Sequence, residues 1–381
     1  MKKGVNELAL DLHKKLRGKM EICPKTQINN KNDLALIYTP GVAAVSTYLA
    51  NNKSETNSYT MRGNLVAVIS DGSAVLGLGN IGPEGALPVM EGKCVLFKHF
   101  AGIDAIPIVL STQDPQKIIE AVLVIAPSLG GINLEDIKAP GCFIIEKTLR
   151  EKLNIPVIHD DQWGASVVVL AALINALKIT NREIKDTRIV VSGAGAAGSA
   201  IVKILHTKGA RNILVCDREG IIYDSRPGNS SHKQKLAQIT NSKQQKGTLK
   251  DALVKSDVFI GVSSPGLVSE DMVRSMNKQA IVFALANPTP EIMPDLAKKA
   301  GAYIIATGRS DYPNQVNNAL AFPGIFRGAL DHNVKKVTIE MLMHVAENLS
   351  RLVANPTPEE IIPSIFDKRV MKSVAQSIKD Y

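Results

Sequence analysis

Arg188-Ile-Val-Val-Ser192, then Gly193-Ala194-Gly195-Ala196-Ala197-Gly198, then Ser199-Ala-Ile-Val-Lys-Ile-Leu-His-Thr-Lys208: these three phrases follow one another without interruption. The first is a short β-branched run bounded by glycine, which predicts a buried strand. The last, Ser199 to Lys208, reads as the helix that the glycine loop opens. A glycine loop between strand and helix is the dinucleotide-binding fingerprint, and the flanking elements give it its weight. The first glycine makes the tight turn and the second lets backbone approach a pyrophosphate. The third brings helix against strand, and the helix N-terminus then faces the phosphates. A second strand, Asn212 to Cys216, ends in Asp217, at the ~20-residue interval where a carboxylate holds the ribose hydroxyls of NAD. Arg218 stands beside it and could pair with a 2′-phosphate, so NAD is expected and NADP remains possible.

Downstream the alternation continues. Asp257–Val262, Ala280–Ala284 and Tyr303–Ala306 are strand candidates separated by helical stretches, the signature of a parallel doubly wound sheet. Upstream, an apolar helix is expected over Ala165–Ile179. Before it Leu65–Ser70, Ile106–Leu110 and Val157-Ile158 read as buried strands among helices, with a glycine-rich stretch between Gly72 and Gly92. At 381 residues the chain exceeds one ordinary core. The expected architecture is α/β. An N-terminal mixed α/β domain (1–158) precedes a doubly wound Rossmann-like NAD(P)-binding domain (159–335) and a C-terminal helical tail (336–381). The polar stretch 224–247 reads as a surface excursion. Ala-Asn-Pro-Thr-Pro-Glu occurs twice, at 286–291 after a strand and at 354–359 after a helix. The first copy sits where such sheets bind ligands and the second reads as a helix stop.

Composition narrows the function. The apolar run Val167–Leu177 is shorter than the ~20 residues of a membrane span. Lys2 and Lys3 are followed by charged residues rather than a signal-peptide core, while Leu8, Leu12 and Leu16 share one helical face, so a cytoplasmic protein is expected. Cys23, Cys94, Cys142 and Cys216 lack paired spacing, which excludes a zinc knot or disulfide framework and predicts packing roles in a reducing compartment. The net charge of +9 comes with only 4% aromatic residues and no stacking platform, so nucleic acid is not an expected partner. Lysines at 233, 235, 243, 246 and 250 read as a solvated face, and a positive field suits anionic substrates.

Two acidic pairs close successive apolar segments: Glu135-Asp136, and Asp160-Asp161, the latter following Val157-Ile158-His159. On residue type alone they are either a hard-cation site or solvated loop ends. Tyr38-Thr-Pro-Gly-Val-Ala, Ser70-Asp-Gly-Ser-Ala-Val-Leu-Gly-Leu-Gly-Asn80, Glu91-Gly-Lys93 and Gly130-Gly-Ile-Asn-Leu-Glu135-Asp136 are all similar to motifs of the malic enzymes. So are His159-Asp-Asp161-Gln162, Ala286-Asn287-Pro-Thr and Asn314-Gln-Val-Asn-Asn318. The seven motifs are collinear from about residue 10 to 335 and match the short bacterial form.

That resemblance implies oxidation and decarboxylation of L-malate to pyruvate with NAD(P) and Mg²⁺ or Mn²⁺, in a homodimer whose N-terminal helix is a candidate contact. It assigns Glu135, Asp136 and Asp161 as metal ligands, Lys93 as the base for the C2 hydroxyl and Tyr38 as the acid at C3. Asp160 is placed in support. Asn287, Asn318 and Asn317 would hold the substrate carboxylate, with Asn287 also touching the nicotinamide end. Lys93 can serve as base only with its pKa lowered by burial and a nearby cation. Two departures stand out. Trp163-Gly-Ala-Ser replaces the usual His-Gly-Thr, and the Trp163 ring is expected to narrow the cleft. Ala74 replaces a substrate-binding arginine of larger members, leaving Lys98 and Arg309 as candidates. The alternatives are a malolactic-type lyase that retains bound NAD and releases lactate, and a non-catalytic dinucleotide-binding regulatory homologue.

Overall fold

In the computed structural model, which describes residues 4–75 and 77–379, two parallel sheets carry the chain. Lys2, Lys3 and Leu76 lie outside those residues. The first sheet has four strands: β1 (Leu65–Ser70), β2 (Asp104–Val109), β3 (Gly131–Leu134) and β4 (Val157–His159), in the order β2-β1-β3-β4. β1 is buried at every residue, as its unbroken apolar run requires of a strand covered on both faces. Helices Gly82–Ala101, Pro115–Ile125 and Gly141–Lys152 make the crossovers. The register sets Ile69 beside Leu134 and Leu134 beside His159, so the residues following β1, β3 and β4 emerge together at one edge.

The second sheet comprises β5 (Arg188–Ser192), β6 (Asn212–Asp217), β7 (Gly220–Ile221), β8 (Val258–Gly261), β9 (Ile281–Ala284) and β10 (Ile304–Thr307), in the order β10-β9-β8-β5-β6-β7. All pairs are parallel except β6 with β7, a two-residue return that takes the edge beside β6. The chain winds one way through β5 and β6 and the other way through β8, β9 and β10. The crevice between β5 and β8 is therefore the topological switch point.

Helix Asp160–Ile179 joins the two halves. It starts five residues earlier than its apolar pattern predicts, because polar Asp160, Asp161 and Gln162 form its first turn behind His159. Its core residues Val167 to Leu177 belong to one continuous apolar cluster. That cluster also takes Val66, Val68 and Phe97 from the first half and Ile189, Val191 and Ile260 from the second. Helix Phe322–Asp331 folds back onto the first half, where Phe322 and Phe326 meet the Phe97 ring edge-on at 4.8 and 5.4 Å. The tail forms the expected helix (Ile339–Arg351), proline-containing turn and short helix (Arg369–Gln376). The 224–247 stretch lies mostly at the surface and contains helix Ser231–Ile239, whose His232 and Lys233 reach the Ala194 carbonyl oxygen and Asp217.

Residues 4–64 form helices Val5–Leu16, Lys31–Ile37, Val42–Asn51 and Thr56–Tyr59, with no buried residue among them. Asn30 caps the second helix by accepting from the Asn32 and Asp33 amides. Leu8, Leu12 and Leu16 do share a face, but that face is open to solvent, as are Ile22, Leu36 and Tyr48. Buried Cys94, Cys142 and Cys216 have the packing role expected of them. Cys23 is exposed, in the unburied N-terminal stretch, which corrects the expectation for that residue.

Candidate active site

Glu135 and Asp136 follow β3, and Asp160 and Asp161 follow β4. Because those strands are neighbours, the two acidic pairs meet. Oxygens of Glu135, Asp136 and Asp161 lie within 4.8 Å of one another, the arrangement of a metal-ligand cluster. Asp136 has a left-handed backbone (φ +54°), and its amide donates to Asp161 Oδ2 at 2.8 Å. Glu135 is placed by its amide bond to the Ile69 carbonyl and by Asn133 Nδ2, 2.9 Å from Oε2.

Lys93, on the helix Gly82–Ala101, is 8% exposed and enters this cluster from below. Its ammonium lies 2.9 Å from Glu135 Oε1 and 2.7 Å from Asp160 Oδ2, and 4.3 Å from the centre of the Phe322 ring. Asn318 Nδ2 donates to the same Asp160 oxygen at 2.7 Å. Asp160 Oδ1 is buried with no hydrogen-bond partner, as are both ring nitrogens of His159, although His159 Nε2 lies 3.4 Å from Asp161 Oδ2.

Four carboxylates thus crowd round one ammonium. Burial pushes Glu135 well above the usual carboxylate range. Lys93 opposes the rise, and the charges of Asp161, Asp160 and Asp136 add to it. Asp160 is raised by burial against the same lysine. A cluster of hard oxygen donors with excess negative charge, partly forced toward the protonated form, fits a divalent cation. Lys93 departs from the expectation of a lowered pKa. Burial does lower it, but the charges and hydrogen bonds of Asp160 and Glu135 outweigh burial and raise it. Among the protein's own groups it is an ammonium.

At the second sheet the glycines divide their work as the motif predicts. Gly193 has φ +115° and closes the turn. A Cβ on Gly198 would sit 1.8 Å from the Gly193 carbonyl oxygen, so helix and loop touch there. A Cβ on Gly195 would have no atom within 4 Å, leaving that backbone open to approach. The helix begins at Ala196, three residues before its predicted start, so Ala196 and Ala197 contribute to the first turn.

Asp217 ends β6 as expected, but it does not stand alone. Arg226 donates from Nη1 to Oδ1 at 2.9 Å and from Nη2 to Oδ2 at 2.5 Å, and Lys233 Nζ lies 2.8 Å from Oδ2. Partial burial alone would raise this carboxyl. The bonds from Arg226 and Lys233 hold it well below the usual range instead. Arg218 is exposed, while His232 Nε2 lies 3.0 Å from the Ala194 carbonyl oxygen in the glycine loop.

The remaining site residues are scattered. Asn287 is exposed, at a cis Asn287–Pro288 bond between Gly77 and Gly308. Asn317 is not brought to the cluster by any hydrogen bond in the structure. Its side chain accepts from the Ala319 amide and caps a short helix. Tyr38 is 66% exposed at the end of its helix, whereas Lys93 is buried. Lys98 pairs with Asp104 on an exposed face. Arg309 pairs with Asp311 and donates to the Pro288 carbonyl, so of the two candidates it borders the Asn287 turn. Trp163 is partly buried, packs against the core and donates its indole N–H to buried Glu146. Glu291, which ends the first hexapeptide copy, is also buried. It accepts from the Ser263 and Ala286 amides at 2.8 and 3.1 Å, fastening the loops after β8 and β9. Glu359, its counterpart in the second copy, is exposed.

Residues 17–150 match the family model described as the malic enzyme N-terminal domain, and residues 163–381 match the malic enzyme NAD-binding domain. The chain is 52% identical over 378 residues to the bifunctional malic/malolactic enzyme of Bacillus subtilis, covering 98% of this chain and 92% of that one. It is 50% identical over 363 residues to the NAD-dependent malic enzyme of Geobacillus stearothermophilus, covering 95% and 76%. The crystal structure of the NAD-dependent malic enzyme from Thermotoga maritima superposes with a TM-score of 0.94 at 50% identity, over 97% of this chain and 98% of that one.

Proposed function

The chain belongs to the malic enzyme family, and from that premise we propose that it converts L-malate to pyruvate and carbon dioxide with reduction of NAD or NADP. The observation that carries the proposal is the convergence of Glu135, Asp136 and Asp161 beside Lys93, at the junction of the two halves. When bound, the dinucleotide accepts hydride from C2, and a divalent cation held by the three carboxylates draws charge from the C2 oxygen and C1 carboxylate.

The chain's own groups supply the rest. Lys93 and Asp160 share a hydrogen bond of 2.7 Å, so a proton withdrawn from the C2 hydroxyl can be held on the pair. Asn318 fixes the Asp160 oxygen that receives it. Phe322 and the helix carrying it close one side of the ammonium and exclude water there. Tyr38 is the proposed acid at C3, on the segment that holds most of the exposed large apolar side chains among the described residues. We propose a homodimer whose second copy covers that segment. Exposed Leu8, Leu12, Leu16, Ile22, Leu36 and Tyr48 support it, since apolar surface of this extent marks an interface. Sedimentation of Leu12→Glu checks this: a dimer should give way to monomer, and an unchanged dimer opposes the helix as a contact.

For the cofactor we propose NAD, supported by the ionised Asp217 at the end of β6. Lys233 and Arg218 supply positive charge that would let a 2′-phosphate approach. The three buried free thiols favour the cytoplasm. A second reading, a malolactic activity at the same site, is favoured by the bifunctional relative. One assay tests both: malate and Mn²⁺ with NAD or NADP, with pyruvate and lactate identified as products. Absence of metal-dependent malate turnover defeats the proposal, and lactate without net reduction of NAD favours the second reading.

A further inference from the structure

Glu146 lies on helix Gly141–Lys152, is 6% exposed, and has no role in the chemistry above. Its oxygens collect three donors from one turn of chain. Oε1 accepts from the His159 amide at 3.3 Å and from Trp163 Nε1 at 2.8 Å, and Oε2 accepts from Gln162 Nε2 at 2.9 Å. Arg150 approaches Oε1 only at 3.8 Å. A carboxylate buried this deeply is costly unless hydrogen-bonded, and here its bonds are spent on the start of helix Asp160–Ile179. Residues 159, 162 and 163 stand at i, i+3 and i+4, on one face of the first turn. The two residues between them on the other face are Asp160, bonded to Lys93, and Asp161, bonded to the Asp136 amide.

We propose that Glu146 is a positioning residue for the metal cluster: it grips the back of the His159–Trp163 turn and so aims the Asp161 carboxylate at Glu135 and Asp136. Trp163, the chain's only tryptophan, is the anchor of that grip. The inference rests on Glu135, Asp136 and Asp161 being the cation site.

Calorimetric titration of Mn²⁺ into the full chain tests it, with titration of NAD as the parallel measurement. Glu146→Ala should weaken Mn²⁺ binding by ~10- to 100-fold, the usual cost of losing a group that orients a ligand, and leave NAD affinity unchanged. Glu146→Gln keeps an acceptor for the Trp163 and His159 N–H groups, and Gln162 can turn to face the new amide. It should therefore restore most of the affinity. Trp163→Phe removes one donor without removing the ring, and should also weaken Mn²⁺ binding while sparing NAD. It carries the test if Glu146→Ala does not fold. Wild-type Mn²⁺ affinity in Glu146→Ala or Trp163→Phe overturns the positioning role, as does a Glu146→Gln variant no better than the alanine. Mn²⁺ binding that survives Asp161→Asn overturns the cation site itself, and this inference with it.

Discussion

Replacing Lys93 by methionine separates two roles that the structure gives to one side chain. Lys93 is 8% exposed and its ammonium touches carboxylates at 2.9 and 2.7 Å, so methionine fills most of its volume while removing the ammonium that balances Glu135 and Asp160. Breaking a buried ion pair by deleting one partner costs about 3–5 kcal/mol. The lower end applies here, because Glu135 and Asp160 are already pushed toward the protonated form and one can be neutralised by a proton. In EDTA, urea unfolding should therefore show a loss near ~3 kcal/mol. Saturating Mn²⁺ should return more stability to the variant than to the wild type, since the cation meets one more unbalanced negative charge. Malate turnover should fall at least ~100-fold, the usual contribution of a proton-transfer group. Turnover close to wild type would refute the assignment of Lys93 to the chemistry. An unchanged unfolding curve in EDTA refutes the charge argument, whatever happens to turnover.

Other outcomes follow from particular contacts. Gly195→Ala should melt like the wild type and bind NAD more weakly, because its methyl meets no protein atom but projects from the open loop; calorimetry reads both. Gly198→Ala should lose stability as well as NAD binding, since its methyl cannot share space with the Gly193 carbonyl. Arg226→Met should be less stable than wild type by an amount that depends on pH in a set direction. The Asp217 carboxyl is lowered in the folded chain, so its contribution is complete above the unfolded value near ~3.9 and disappears as pH falls through the lowered folded value. Urea unfolding should show a constant difference from pH 5 to 8 that shrinks below about pH 4. A difference that grows on acidification contradicts the pairing.

The glycine loop could be read in one dimension because its demands are local: a turn at Gly193, open backbone at Gly195 and a helix against Gly198. Five strands of the second sheet were legible as short apolar runs, whereas β7, a two-residue return, was not. β3, four residues opening on a glycine, was visible only as the apolar segment before Glu135-Asp136. The metal cluster was half legible. Two acidic pairs after apolar segments are visible in the chain, but their meeting depends on β3 and β4 being neighbours. The groups that were missed serve partners elsewhere in the chain. Arg226 serves Asp217 from inside a polar stretch, Glu146 serves a turn beyond the next strand, and Glu291 joins two loops. Each is an ordinary surface-type residue until the fold buries it. Tyr38 shows the opposite failure: its motif is conspicuous, yet within one copy of the chain its side chain stands in the open.

Helix Asp160–Ile179 does two jobs along its length. Its first turn carries Asp160 and Asp161, and the rest is locked among apolar side chains from both sheets. Glu135 and Asp136 ride on the first sheet. The gap between the two acidic pairs is spanned by the 2.8 Å bond from the Asp136 amide to Asp161. A cation held by all three carboxylates would therefore tie the first turn of this helix to the end of β3.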